Sequence, residues 1–182
     1  MTHLLDYQPL NLYTNYQEAA EKTPTVPIIF DESLPAFPAL GLETTYGESH
    51  QEILKRAYQL AALGVKKGDK IIIYKSPKFD TYLLAVAASY LAAVPVMVSY
   101  HLPFETIEVF VDRLEDPYIL FDDVTAEKVQ AVRNSSDNKK LSVASLLEAD
   151  ATEVPQDELT KDEIAYMTHT SGTRSEERRV GK

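Results

Sequence analysis

Apolar positions along this chain follow two alternating rhythms. One is the 3.6-residue period of a helix that buries one face. The other is the short unbroken run of a strand buried on both faces. The clearest helix lies in "TTYGESHQEILKRAYQLAALGVKKGDK", where Ile53, Leu54, Ala57, Leu60 and Ala61 share a face. Thr45 and Glu48 stand at the spacing of a capping box, which satisfies two amide donors at a helix start. Gly64 suits the left-handed residue that closes such a helix. "KKGD" then turns the chain into "KIIIY", an apolar run bounded by turn residues.

"SPKFDTYLLAVAASYLAA" predicts a second helix, with Ser76 as its N-cap and Pro77 in its first turn. Phe79, Tyr82, Leu83, Val86, Ala87, Tyr90 and Leu91 form its stripe. "VPVMVS" reads as a strand, and "PFETIEVFVDRLE" as a helix burying Ile107, Phe110, Val111 and Leu114. "PYILFDD" and "TAEKVQAVR" repeat the alternation. Strands are expected at about 70–74, 94–99, 117–121 and 163–168, and helices at about 48–63, 77–92, 103–114 and 125–133. Such alternation predicts an α/β fold, with a mainly parallel sheet covered by helices on both faces. The first 43 or so residues, rich in Tyr and Pro, hold a short helix ended near Pro24, a strand at "VPIIF", and loop.

Composition narrows the function classes. Of 182 residues, 28 are acidic and 18 are Lys or Arg, giving a net charge of −10. That balance argues against a nucleic-acid partner, which needs clustered cations. There is no cysteine, so neither a disulfide framework nor a thiolate site is available. The start carries no basic segment followed by an apolar one, and the longest apolar run is broken by Ser89 and Pro95. No membrane span is expected, and a cytoplasmic protein is. The stretch from Glu148 to Glu163 holds seven carboxylates against one lysine, Lys161, and reads as a solvated connector.

Chemistry concentrates near the end. "IAYMTHTSGT" begins as a strand and closes in small hydroxyl residues and glycine. Thr170, Ser171, Gly172 and Thr173 offer three hydroxyls and several amides that can converge on a phosphate. The four histidines, His3, His50, His101 and His169, show no metal-ligand spacing, and Ser171 has no recognisable acid–base partners. On these residues alone, an enzyme, a phosphate-binding module without catalysis and an inert fragment all stay open.

The order of these stretches resembles one family. From "TTYGESHQEILKRAYQLAALGVKKGDKIIIY", through "SPKFDTYLLAVAASYLAAVPVMVSYHLPFETIEVFVDRLEDPYILFDD", to "DEIAYMTHTSGT", the chain is similar to the amino-terminal part of adenylate-forming enzymes. These are the acyl-CoA synthetases and AMP-dependent ligases. The resemblance implies an incomplete N-terminal domain of the adenylate-forming fold at residues 1–173. It implies ATP with Mg2+ as cofactors, and a carboxylic acid and coenzyme A as partners. It places Thr170, Ser171, Gly172 and Thr173 on the ATP phosphates and His169 beside the acid. The family's phosphate loop continues with Thr-Gly, a variable residue, then Pro-Lys. Here Arg174 and Ser175 stand where Thr and Gly belong. The tail "RSEERRVGK", residues 174–182, resembles the translation of a sequencing-library adapter and is expected to lie outside the evolved domain. The resemblance implies that a chain stopping here cannot complete catalysis.

Overall fold

The computed structural model describes residues 11–169. The core is a five-stranded parallel sheet of order β6-β5-β3-β4-β7. Its strands are β3 (Lys70–Ile73), β4 (Val94–Met97), β5 (Tyr118–Phe121), β6 (Lys140–Ser142) and β7 (Met167–Thr168). The helices are α1 (Leu12–Lys22), α2 (Tyr46–Ala62), α3 (Asp80–Tyr90), α4 (Phe104–Leu114), α5 (Ala126–Ala131) and α6 (Val143–Glu148). A separate antiparallel ribbon joins β1 (Pro27–Ile29) to β2 (Glu43–Thr45).

Side-chain alternation along the strands divides the core in two. Ile71, Ile73, Tyr118 and Leu120 face one cluster, together with residues of α1, α2, α3 and α6. Ile72, Tyr74, Ile119 and Phe121 face the other, against Ile107 and Val111 of α4 and Val129 of α5. Crossovers through α3 and α6 step toward the β7 edge, and those through α4 and α5 step the opposite way. Helices on opposite faces for opposite steps are what a single crossover hand requires. The expected parallel α/β architecture is therefore present.

Several local expectations hold. Thr45 and Glu48 form the capping box of α2. Gly64 adopts φ +94° and ends that helix. Its amide donates to Ala61 at 2.9 Å and that of Val65 to Leu60 at 3.1 Å, the paired bonds of a Schellman motif. Val65 and Leu60 are both buried, supplying the motif's apolar contact.

Others do not. Ser76 does not cap α3, which starts four residues later at Asp80; its hydroxyl is bound to the Asp122 carboxylate instead. The last strand is two residues long, not six. Val94 and Val98 donate their amides toward β3, so Pro95 turns its donorless nitrogen toward the β7 side. Pairing there begins only at Val96, opposite Met167. The ribbon strand β2, edge strand β6 and helix α6 have three to six residues each, too short for their period to be read.

Candidate functional site

In an open parallel sheet, ligands bind outside the carboxyl ends of the strands, in the crevice formed where adjacent strands send their connections to opposite faces. Here that edge is built by Tyr74 to Ser76 after β3, Val98 to Leu102 after β4, Asp122 to Thr125 after β5, and His169 after β7. Register sets their common level: Ile73 pairs with Met97 and with Leu120, and Met97 pairs with Thr168.

A buried ionic hub holds the centre of this edge. Lys75 Nζ donates to Asp80 Oδ1 at 2.6 Å and lies 3.8 Å from Asp122 Oδ2. The Lys75 and Asp80 side chains are fully enclosed. Asp122 accepts the Ser76 amide at 3.1 Å as well as the Ser76 hydroxyl. The other Asp80 oxygen, Oδ2, accepts the Ala36 amide at 3.0 Å. Arg56, also buried, donates Nε to the Ala36 carbonyl at 2.6 Å. One alanine in the loop before β2 is thus gripped on both sides of its backbone by opposite charges. Removing charges from water costs more than a single attraction returns unless every lone pair is also used; here each carboxylate has several donors. Burial lowers the Arg56 pKa, partly opposed by Glu52 nearby.

Around the hub, the Tyr74 hydroxyl donates to the Leu102 carbonyl, and Lys128 Nζ donates to the Tyr100 carbonyl at 2.7 Å. Burial raises the Tyr74 pKa. These bonds tie the loop after β4 down over α5. His101 in that loop is exposed and stacks on Tyr100 at 3.9 Å between ring centroids.

His169 sits at the end of β7 with its amide donating to the Met97 carbonyl at 3.2 Å. Its ring is exposed and lies 5.5 Å from that of Phe110 on α4, at 59°. Thr170, Ser171, Gly172 and Thr173, and the tail after them, lie outside the described residues. What the structure places is the residue before them, His169, at the carboxyl edge. His50, whose place in the first turns of α2 predicts a surface residue, is instead half-buried: its Nε2 shares a 3.0 Å hydrogen bond with the Tyr13 hydroxyl.

The fit to the implied cofactors is partial. Among the described residues no group of three or more His, Asp or Glu is placed to hold a metal ion. Lys75 is consumed by its two aspartates and is not free to meet a phosphate. The hub itself was not anticipated from sequence. Its signal was a charge at each strand end, Lys75 directly after "IIIY" and Asp122 directly after "YILF", where a loop residue has no evident need of one. Among the described residues, no helix is long and apolar enough to cross a membrane.

Comparison with known proteins points one way. The chain is 33% identical over 110 residues to a 3-amino-2-hydroxy-4-methoxybenzoate diazotase of Streptomyces cremeus, covering 60% of this chain and 20% of that protein. It is 27% identical over 141 residues to an uncharacterized acyl–CoA ligase of Bacillus subtilis, covering 71% and 26%. A long-chain-fatty-acid-CoA ligase of Archaeoglobus fulgidus shares the fold, with a TM-score of 0.75 at 17% identity, over 93% of this chain and 36% of that one. The chain thus spans about a fifth to a quarter of the curated relatives it matches. The family described as AMP-binding enzyme matches residues 16–176, and the chain belongs to that family, as an amino-terminal part of the adenylate-forming fold.

Proposed function

We propose that this chain is part of an enzyme that activates a carboxylic acid with ATP and transfers the acyl group to a thiol, coenzyme A. The acid's carboxylate attacks the α-phosphate, pyrophosphate leaves, and the thiol then displaces AMP. Thr170, Ser171, Gly172 and Thr173 are the residues proposed to hold the ATP phosphates, and His169 to border the acid. The observation that carries this reading is the exit of β7 at the carboxyl edge, straight into those four residues, in a chain of the AMP-binding family. The exposed ring of His169 beside Phe110 leaves an aromatic wall at that exit. The magnesium site belongs to residues beyond those described. The proposed compartment is the cytoplasm.

The 182-residue chain itself is proposed to be inactive. Its loop carries Arg174 and Ser175 in place of the Thr-Gly step, and no Pro-Lys follows. Losing one positioned donor or cation from such a site costs on the order of 3 kcal/mol in the transition state, about a hundredfold in rate. The proposed domain part ends at Thr173, with residues 174–182 outside it.

The test is pyrophosphate release from ATP across a panel of carboxylic acids, followed by thioester formation with coenzyme A. The panel includes hydroxy-, amino- and methoxy-substituted benzoates, because one relative is named for such a compound. A gene continuing past Thr173 with the full loop should give acid-dependent release, and the 182-residue chain none. Turnover by the short chain overturns the inactivity; a full-length protein silent on every acid overturns the activity. For the short chain, a melting temperature raised by ATP would mark a non-catalytic binding module, and a flat one an inert fragment.

A further inference from the structure

Between α6 and β7 the chain runs for eighteen residues, 149–166, without a helix or strand, and most of it is exposed. Its composition predicts a loose connector. Its backbone is nevertheless held at intervals. Gln59 Nε2 donates to the carbonyls of Leu147 at 3.0 Å and Ala149 at 3.1 Å. The Tyr90 hydroxyl donates to the Val154 carbonyl at 2.7 Å, and the Tyr90 carbonyl accepts the Asp157 amide at 3.1 Å. Lys67 Nζ donates to the Glu158 carbonyl at 2.6 Å and pairs with the Glu163 carboxylate at 3.1 Å. Glu163 in turn accepts the Thr160 amide at 2.6 Å. Val154 packs against the core beside the Tyr90 anchor.

From the last anchor, Glu163, four residue steps reach Met167, which allows at most about 14 Å of travel. With only two residues paired to β4, β7 has little hold of its own. We infer that Gln59, Tyr90 and Lys67 form a rail that fixes the register of β7 and, through it, the place of His169 at the carboxyl edge. They are positioning residues, bound to backbone carbonyls. The part His169 plays beside the acid rests on the reading proposed above; the hold on β7 does not.

The experiment uses the 182-residue chain and its Tyr90→Phe/Lys67→Met variant, with Lys67→Arg as the conservative control. Amide hydrogen exchange is followed at His169, whose donor bond to Met97 reports β7, and at Ile72 and Ile119 in the central strands. One net hydrogen bond carries about a fivefold equilibrium factor. The double variant should therefore exchange His169 at least tenfold faster, while Ile72 and Ile119 stay within twofold and Lys67→Arg behaves as the parent chain. Unchanged exchange at His169, or an equal rise at Ile72, overturns the rail.

Discussion

Helices α3 and α4 have eleven residues each and cover the same central strands from opposite sides. α3 rests on β3 and β4 and is itself covered by α1 and α2. Nine of its eleven residues are buried. α4 buries Ile107 and Val111 and leaves Glu105 and Asp112 in water. A polar group at the start of α4 can be hydrated. One at the start of α3 cannot, and must find a partner inside. Asp80 finds Lys75 and the Ala36 amide. The difference teaches that a helix covered twice collects charges in pairs, whereas a helix covered once needs only an apolar stripe.

The sharpest way to break this contrast is to strand one charge. Asp80→Ala leaves Lys75 with only Asp122 and should cost about 3–5 kcal/mol in urea unfolding. Lys75→Met/Asp80→Leu should lose less than the two single changes together, because the one carboxylate it leaves without a cation, Asp122, keeps the Ser76 amide and hydroxyl as donors. A loss below about 1 kcal/mol for Asp80→Ala would mean the hub is hydrated and the contrast false.

The matching probe beneath α4 is Ile107→Val. It removes one methyl group from an apolar contact and should cost about 0.5–1.5 kcal/mol, with no dependence on a partner mutation. Thr45→Ala tests the entry to α2, part of the layer above α3. It removes one half of the capping box and should cost about 1 kcal/mol, measured by the same unfolding curves.

The smallest expected effect is on pH. Burial lowers the His50 pKa below its ordinary 6.5, while Glu21 opposes the shift. The unfolded chain therefore binds that proton more tightly. The contribution is complete above pH 6.5 and is lost as pH falls below it toward the folded value. His50→Gln should flatten the stability profile between about pH 7 and 5. Burial likewise pushes Tyr13 and Tyr16 up to about 12 from 10.0, so the α1 contact should weaken as pH rises above 10. Unfolding monitored by tyrosine absorbance across that range checks the sign.

How far the sequence could be read follows the same contrast. The α4 helix was expected at about 103–114 and found at Phe104–Leu114. There the apolar stripe and the solvated face coincide with the structure. α3 was expected from Pro77 and begins at Asp80, because Ser76, a good cap by composition, is drawn into the hub. The hub was invisible to periodicity, since Asp122 reaches Lys75 and Asp80 only when β3 and β5 pair. β7 was overestimated because the limit on its length lies in its neighbour, at Pro95. For the candidate site, order and motif reached His169; the structure adds the edge it stands on and the anchors behind it.

Those anchors carry a consequence for how the chain can vary. Gln59, Tyr90 and Lys67 grasp carbonyl oxygens, which every amino acid possesses. Apart from Val154 and Glu163, the segment's own side chains are not specified by this grip. Substitutions can therefore accumulate there, and its acidity can drift, while three distant donors stay under constraint. Related chains compared across this segment would align poorly by letter. They would align well by the glutamine, the lysine and the tyrosine that hold it.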